Sequence, residues 1–227
     1  MGFAGWLVAS GAALACTAGS LAMAGSSRDR DLCGTGRNAS VCFASVDRAG
    51  KVSREQRVRL VAAAPVAIDI VSSREFAAEL TAFHAALPTD WVARNRYWRD
   101  FDPDEAIAAT RLSFAGLHID TVGGTRARVS ARFGNLAYEG STNARTGERN
   151  IRLNRFKLDR PFGALVNTYV HEAAHKAGYS HRGRQTQDQK CEPPYVMGQL
   201  AQKLAEPDKW AAFAATRNAC QFWSRLL

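Results

Sequence analysis

The sequence predicts an α+β fold, with several strands, helices that pack on them, a helix that carries the chemistry and a further helix toward the C-terminus. Three observations predict it. Short pieces alternate apolar with polar residues at period two. Longer pieces carry apolar stripes at helical spacing, with N-terminal signals in front of them. Their order is strand, helix, helix, several strands, helix, loop, helix. The chain has 227 residues, enough for one core of ordinary size. With 46% hydrophobic and 22% charged residues it is too apolar for a disordered polymer. Beyond the N-terminus its apolar residues are too dispersed for a membrane bundle.

Met1 to Ser27 holds no charged side chain, and Arg28 is the first. Phe3 to Ala15 has the character of a signal h-region, and Ala22-Met23-Ala24 supplies a small-x-small cleavage pattern. Residues 1–24 therefore read as a signal peptide cleaved before Gly25, which places the protein in a secreted or periplasmic setting. The n-region has only the terminal amine as positive charge, and an uncleaved anchor is the alternative, since the stretch is long enough to span a bilayer. Cys16 follows Ala13-Leu14-Ala15, a poor lipoprotein site because a larger aliphatic residue is expected three positions earlier. Of five cysteines, four remain after the leader, and an even number in an exported chain suggests two disulfides. Proximity favours Cys33 with Cys42 and Cys191 with Cys220, although four cysteines allow three pairings and Cys191 could instead bind a metal.

Residues 25–54, rich in Ser, Gly, Arg and Asp, read as a loop-like N-terminal extension. Residues 55–227 form the main domain. Val66 to Val71 reads as a short buried strand. Ser73 to Leu87 reads as a helix that packs on a sheet, with Ser73 as N-cap and Phe76, Leu80, Phe83 and Leu87 on one stripe. A second helix spans about Asp102 to Arg111, with Pro103 in its first turn and Ile107 and Leu112 facing inward. Leu117 to Asp120, Arg126 to Phe133 and Asn150 to Asn154 alternate like strands, and Glu139 to Arg149 reads as a loop.

The strongest signal lies in a helix from about Pro161 to Ala177. His171 and His175 stand four apart, so both imidazoles leave the same face and can share one metal ion. Glu172, three before His175, falls where a carboxylate can touch a metal-held water without being a ligand. Val166, Val170, Ala173 and Ala177 form a small apolar face suited to packing on a sheet. Gly178 suits a left-handed helix cap. The turn it makes can return His181 as third ligand, leaving a fourth position open, as in catalytic rather than structural zinc sites. With five His and eighteen Gly in the chain, this eleven-residue pattern arises by chance with a probability on the order of 10⁻⁵. His84 and His118 read as partly exposed structural residues.

The run His171 to His181 resembles the zinc-binding signature of the metzincin clan of metalloendopeptidases. The resemblance implies a zincin-like fold, in which a mixed sheet backed by helices lies above the zinc, a tight turn containing Met lies below it and a C-terminal helical subdomain follows. Met197, in Pro193-Pro194-Tyr195-Val196-Met197-Gly198, resembles that Met, with an ordinary core Met as the other reading. Gln199 stands where some members have a zinc-binding Tyr. The strand Asn150 to Asn154 is then a candidate edge for pairing with extended substrate, or equally an ordinary internal strand. Cys33-Gly34 is similar to the inhibitory cysteine of some family pro-segments. Tyr179 and Tyr195 are candidates to stabilise an oxyanion, or are simply packed.

The expected activity is peptide-bond hydrolysis by zinc-activated water, with Glu172 as general base and His171, His175 and His181 as Zn2+ ligands. One rival takes Glu192 instead of His181 as third ligand. Another is a catalytically silent zinc-containing binding or effector protein of the cell envelope. A third, a basic envelope or nucleic-acid binder, starts from the net charge of +9. The basic residues are scattered and no nucleic-acid motif accompanies them, which favours solvated surface charge. The expected partner is thus a protein or peptide substrate met by a monomer, with no specific nucleic acid and no membrane beyond an N-terminal anchor.

Overall fold

The computed structural model describes residues 32–47, 51–125, 128, 140–141, 150–181 and 186–225. The expected signal peptide and Cys16 lie outside them. Among the described residues no helix is long and apolar enough to cross a membrane.

Ser53 starts the first long helix, α1 (Arg54–Val71). Its hydroxyl accepts the Gln56 N–H and the Gln56 side chain accepts the Ser53 N–H, both at 3.2 Å, so two otherwise orphaned donors are satisfied. Leu60, Ala63, Ala64, Ala67, Ile68 and Val71 are buried along one stripe. The strand expected at Val66–Val71 is therefore the last part of this helix. Its β-branched residues suit a strand, but the helical burial pattern runs straight through Pro65, and packing outweighs local preference.

Helix α2 (Arg74–Ala86) begins where expected, with Ser73 Oγ accepting the Phe76 N–H at 3.1 Å. Phe76, Leu80 and Phe83 are buried. After the short α3 (Thr89–Arg94) comes α4 (Pro103–Ser113), where Asp102 accepts from the N–H groups of Asp104 at 2.8 Å and Glu105 at 3.0 Å. Ala106 and Thr110 form its buried stripe and Ile107 packs beside it. Leu112 points away, 71% exposed, contrary to expectation, because it lies two positions beyond Thr110 on the far side of the helix. The remaining helices are α5 (Phe162–Lys176), α6 (Pro193–Ala205) and α7 (Pro207–Ala214). Helix α2 packs on α1, α4 and α6, not on the sheet as expected.

Four strands, β1 (Ser45–Val46), β2 (His118–Val122), β3 (Gly140–Ser141) and β4 (Asn150–Asn154), form a mixed sheet in the order β1-β2-β4-β3. The first three in that order are parallel, with His118 opposite Asn150 and Val122 opposite Asn154. Strand β3 is antiparallel to β4, with Gly140 opposite Leu153. Ile119, Ile151 and Leu153 are fully buried, as the alternation predicts. The α+β class is thus correct. Strand β4, however, is not the edge: β3, drawn from the segment read as a loop, covers it. Residues 142–149 of that segment lie outside the described residues. The strand expected over Arg126 to Phe133 mostly does too, and its described member Arg128 is helical, with its N–H bonded to Gly124 O at 3.0 Å.

The described part of the N-terminal arm is packed from Leu32 to Val46 rather than loop-like. Leu32, Val41, Phe43 and Val46 are buried, β1 joins the sheet, and the Phe43 ring lies 5.3 Å from Phe114 and 5.5 Å from Tyr169. Gly34 permits this approach: a Cβ there would stand 2.7 Å from Ile68 Cγ2. Cys33 is bonded to Cys42 and Cys191 to Cys220, the pairing that proximity favours. With its thiol consumed, Cys33 has no inhibitory thiolate to offer.

Candidate metal centre

Helix α5 is fixed at its start by a carboxylate: Glu206, just past α6, accepts the Gly163 N–H at 2.6 Å. Hydrogen bonding to Gly163 and Lys209 holds the Glu206 carboxyl below its ordinary pKa against the opposing effect of burial. Farther along, α5 and α6 cross with almost no space between them. A Cβ on Gly198 would stand 2.4 Å from Asn167 Oδ1 and 2.8 Å from Asn167 O. Beside this contact Asn167 Nδ2 donates to Gln202 Oε1 at 2.8 Å. On the opposite flank the Tyr169 hydroxyl donates to Leu60 O of α1 at 3.1 Å. The apolar face that was expected to meet the sheet is thus buried mainly among α1, α4 and α6.

The helix ends as its sequence predicts. Gly178 has φ of 101°, and the N–H groups of Gly178 and Tyr179 return to His175 O at 3.1 Å and Ala174 O at 3.0 Å. That reversal brings His181 back over the helix. The ring centroids of His171, His175 and His181 are 4.7 to 5.3 Å apart. One candidate ligand atom from each lies within 4.8 Å of the others. His171 Nε2 and His175 Nε2 are 3.2 Å apart. Two nitrogens bound tetrahedrally to one zinc-sized ion would be separated by about 3.3 Å. The donor set therefore fits a divalent ion with little movement of these two rings.

Each ring has a partner behind it. His175 Nδ1 lies 2.8 Å from Tyr179 O, which can only accept, so the proton sits on Nδ1 and the Nε2 lone pair faces the cluster. The Pro194 backbone carbonyl lies near His171 and favours its protonated form. His181 Nδ1 meets the side chain of buried Gln189 at 3.0 Å. Burial pushes His171 well below the ordinary imidazole pKa, helped by the other two histidines and Lys190 and opposed by the Pro194 bond. Burial also brings His175 down to about 4, with the Tyr179 bond opposing and His181 assisting. Both are neutral at pH 7, the protonation state a metal requires.

Glu172 is buried on α5, 3% exposed, one residue after His171. Glu192, the rival third ligand, is fully buried at the start of α6 and is not one of the converging groups. Met197 is buried inside α6, which begins four residues earlier at Pro193, so helix replaces the tight turn expected there. Pro193 and Pro194 in the first turn, where their missing N–H groups cost nothing, explain why helix starts so early. Gln199 is structural: its Oε1 accepts from Cys220 N–H at 2.9 Å and Trp223 Nε1–H at 2.6 Å, and its Nε2 donates to Lys190 O at 3.0 Å. Its neighbour by one helical turn, Tyr195, reaches the centre instead, with its ring 4.5 Å from His171 and 4.7 Å from His181. Lys190 Nζ lies 4.7 Å from the same ring. Tyr179 packs its ring against Phe101 at 5.6 Å, and burial together with Glu105 and Asp102 raises its phenol pKa.

His84 and His118 stand apart as structural residues. His84 stacks on Trp98 at 5.4 Å, and His118 Nδ1 bonds Ser45 Oγ at 2.8 Å across β1 and β2. Sequence reasoning missed Gln189 and Lys190. No spacing rule marks them, since a 3-10 turn (Asp188–Cys191) rather than a regular helix presents them. No protein-family model, curated protein or solved structure matches the chain.

Proposed function

We propose that the protein is an exported zinc-dependent endopeptidase of metzincin-like type. The observation that carries the proposal is the convergence of three imidazoles, two of them with Nδ1 engaged by Tyr179 O and the Gln189 amide. Three neutral imidazoles suit zinc, and His171, His175 and His181 would hold it. A zinc ion so held supplies Lewis acidity that brings a water toward ionisation near neutral pH and polarises a carbonyl. Glu172 takes the proton of the attacking water and passes it to the departing amine. The C–N bond breaks as oxygen adds to the acyl carbon and hydrogen to the nitrogen. Tyr195, packed on two of the three rings, is the candidate to donate its hydroxyl to the carbonyl oxygen of a substrate.

Export agrees with the two disulfides, which persist in oxidising compartments. The helix at Met197 favours a second reading, in which the same zinc centre recognises a partner without turnover. Digestion of a mixed peptide library by wild type and Glu172→Gln, each with and without chelator, separates the two. An endopeptidase gives internal cleavages that vanish with chelator and with Glu172→Gln, while the variant keeps its zinc. Cleavage that survives in Glu172→Gln removes the general-base role, and absence of chelator-sensitive cleavage by zinc-loaded wild type favours the silent binder.

A further inference from the structure

Three ring nitrogens point away from the metal centre, and their partners are not alike. Behind His175 stands the carbonyl of Tyr179, and that of Pro194 lies near His171. Backbone carbonyls only accept, so Tyr179 O locks His175 with its outer nitrogen protonated. Behind His181 stands a side-chain amide, Gln189, with its Nε2 at 3.0 Å from Nδ1. An amide offers either end. With N–H donated to Nδ1, the ring proton sits on Nε2 and that nitrogen cannot bind a cation. Turned by half a revolution about its last bond, the same amide accepts the Nδ1 proton through Oε1 and frees the Nε2 lone pair.

We propose that Gln189 is the positioning residue for the third ligand: its side-chain amide, 3.0 Å from Nδ1, fixes the His181 ring so that Nε2 is the nitrogen offered to the ion. This inference rests on the zinc reading above. Gln189 is well placed for such a role. It is 2% exposed, so its own amide is shielded from bulk water. Its backbone is held from both directions: its N–H takes Thr186 Oγ1 at 3.2 Å and its carbonyl accepts the Glu192 N–H at 3.0 Å. Two residues on, Cys191 is tied to Cys220 and its carbonyl accepts Trp98 Nε1–H at 2.7 Å. The amide can turn while its backbone stays fixed. Outer partners of this kind change metal affinity by about 10- to 100-fold when removed.

The test is zinc affinity of the full chain, by competition with a chromophoric chelator, for wild type, Gln189→Leu and Gln189→Glu. The leucine, of similar size, can neither donate nor accept and should weaken binding about 10- to 100-fold. The glutamate can accept the Nδ1 proton without turning, and should bind zinc at least as tightly as wild type. Equal affinity of wild type and Gln189→Leu overturns the assignment, as does a Gln189→Glu variant as weak as Gln189→Leu. A readout free of any variant is the ring 15N spectrum of His181 in wild type. It should show a protonated Nδ1 with zinc bound through Nε2, and zinc bound to Nδ1 overturns the proposal. If wild type binds no zinc at all, the metal reading itself fails; if it binds zinc regardless of residue 189, only the role of Gln189 is lost.

Discussion

The buried histidines should make the metal-free protein acid-labile in a definite window. In the unfolded chain His175 titrates near the ordinary 6.5, and in the folded chain burial lowers it to about 4. Above pH 6.5 both forms are neutral and the group contributes nothing to the pH dependence. Below 6.5 the unfolded chain takes a proton that the folded chain refuses, so stability falls, and the loss is complete below about pH 4. The shift of about 2.5 units corresponds to about 3 kcal/mol in total, of which about 2 kcal/mol is already lost at pH 5. His171, lowered in the same direction, adds to the loss. Urea unfolding of chelator-treated wild type and His175→Gln at pH 7 and pH 5 isolates the contribution. The variant should lose about 2 kcal/mol less than wild type between the two pH values. Parallel losses would mean that His175 is not held neutral by its surroundings, and the argument for a preformed neutral donor set would fail.

Two further perturbations probe the supports of the centre. Gly198→Ala places a methyl 2.4 Å from Asn167 Oδ1 and 2.8 Å from its carbonyl, so α5 and α6 must separate; thermal unfolding should show a loss of about 1–3 kcal/mol, together with weaker zinc binding. Unchanged stability would mean that the two helices do not cross so closely. The double variant Cys191→Ala, Cys220→Ala opens a loop spanning a separation of 29 residues and should cost about 3–4 kcal/mol in urea unfolding, whereas a loss under about 1 kcal/mol would deny the bond its stabilising role.

The elements the sequence predicted well are those whose signals are local. Ser73, Asp102 with Pro103, and Gly178 each satisfy or release particular backbone groups, so the ends of α2, α4 and α5 could be read directly. The three histidines were legible for the same reason, since helical spacing plus one glycine reversal fixes their geometry. Where packing decided, the reading failed. Val66–Val71 looks like a strand until Ser53 and the stripe from Leu60 place it on a helix. Strand β4 looks like an edge until a two-residue partner inside an apparent loop covers it. Met197 looks like part of a turn until Pro193 and Pro194, in the first turn of α6, place it inside a helix. Gln189 touches His181 only through a tertiary contact, which no spacing rule reveals.

At the root of the account lies a single divalent ion held by three ring nitrogens. Zinc-edge X-ray absorption of the zinc-loaded chain measures its ligands without reference to activity. The account predicts one zinc per chain with three nitrogen neighbours from imidazole at about 2.0–2.1 Å and one further light-atom neighbour. A spectrum showing fewer than three imidazoles, or sulfur at about 2.3 Å, would contradict it.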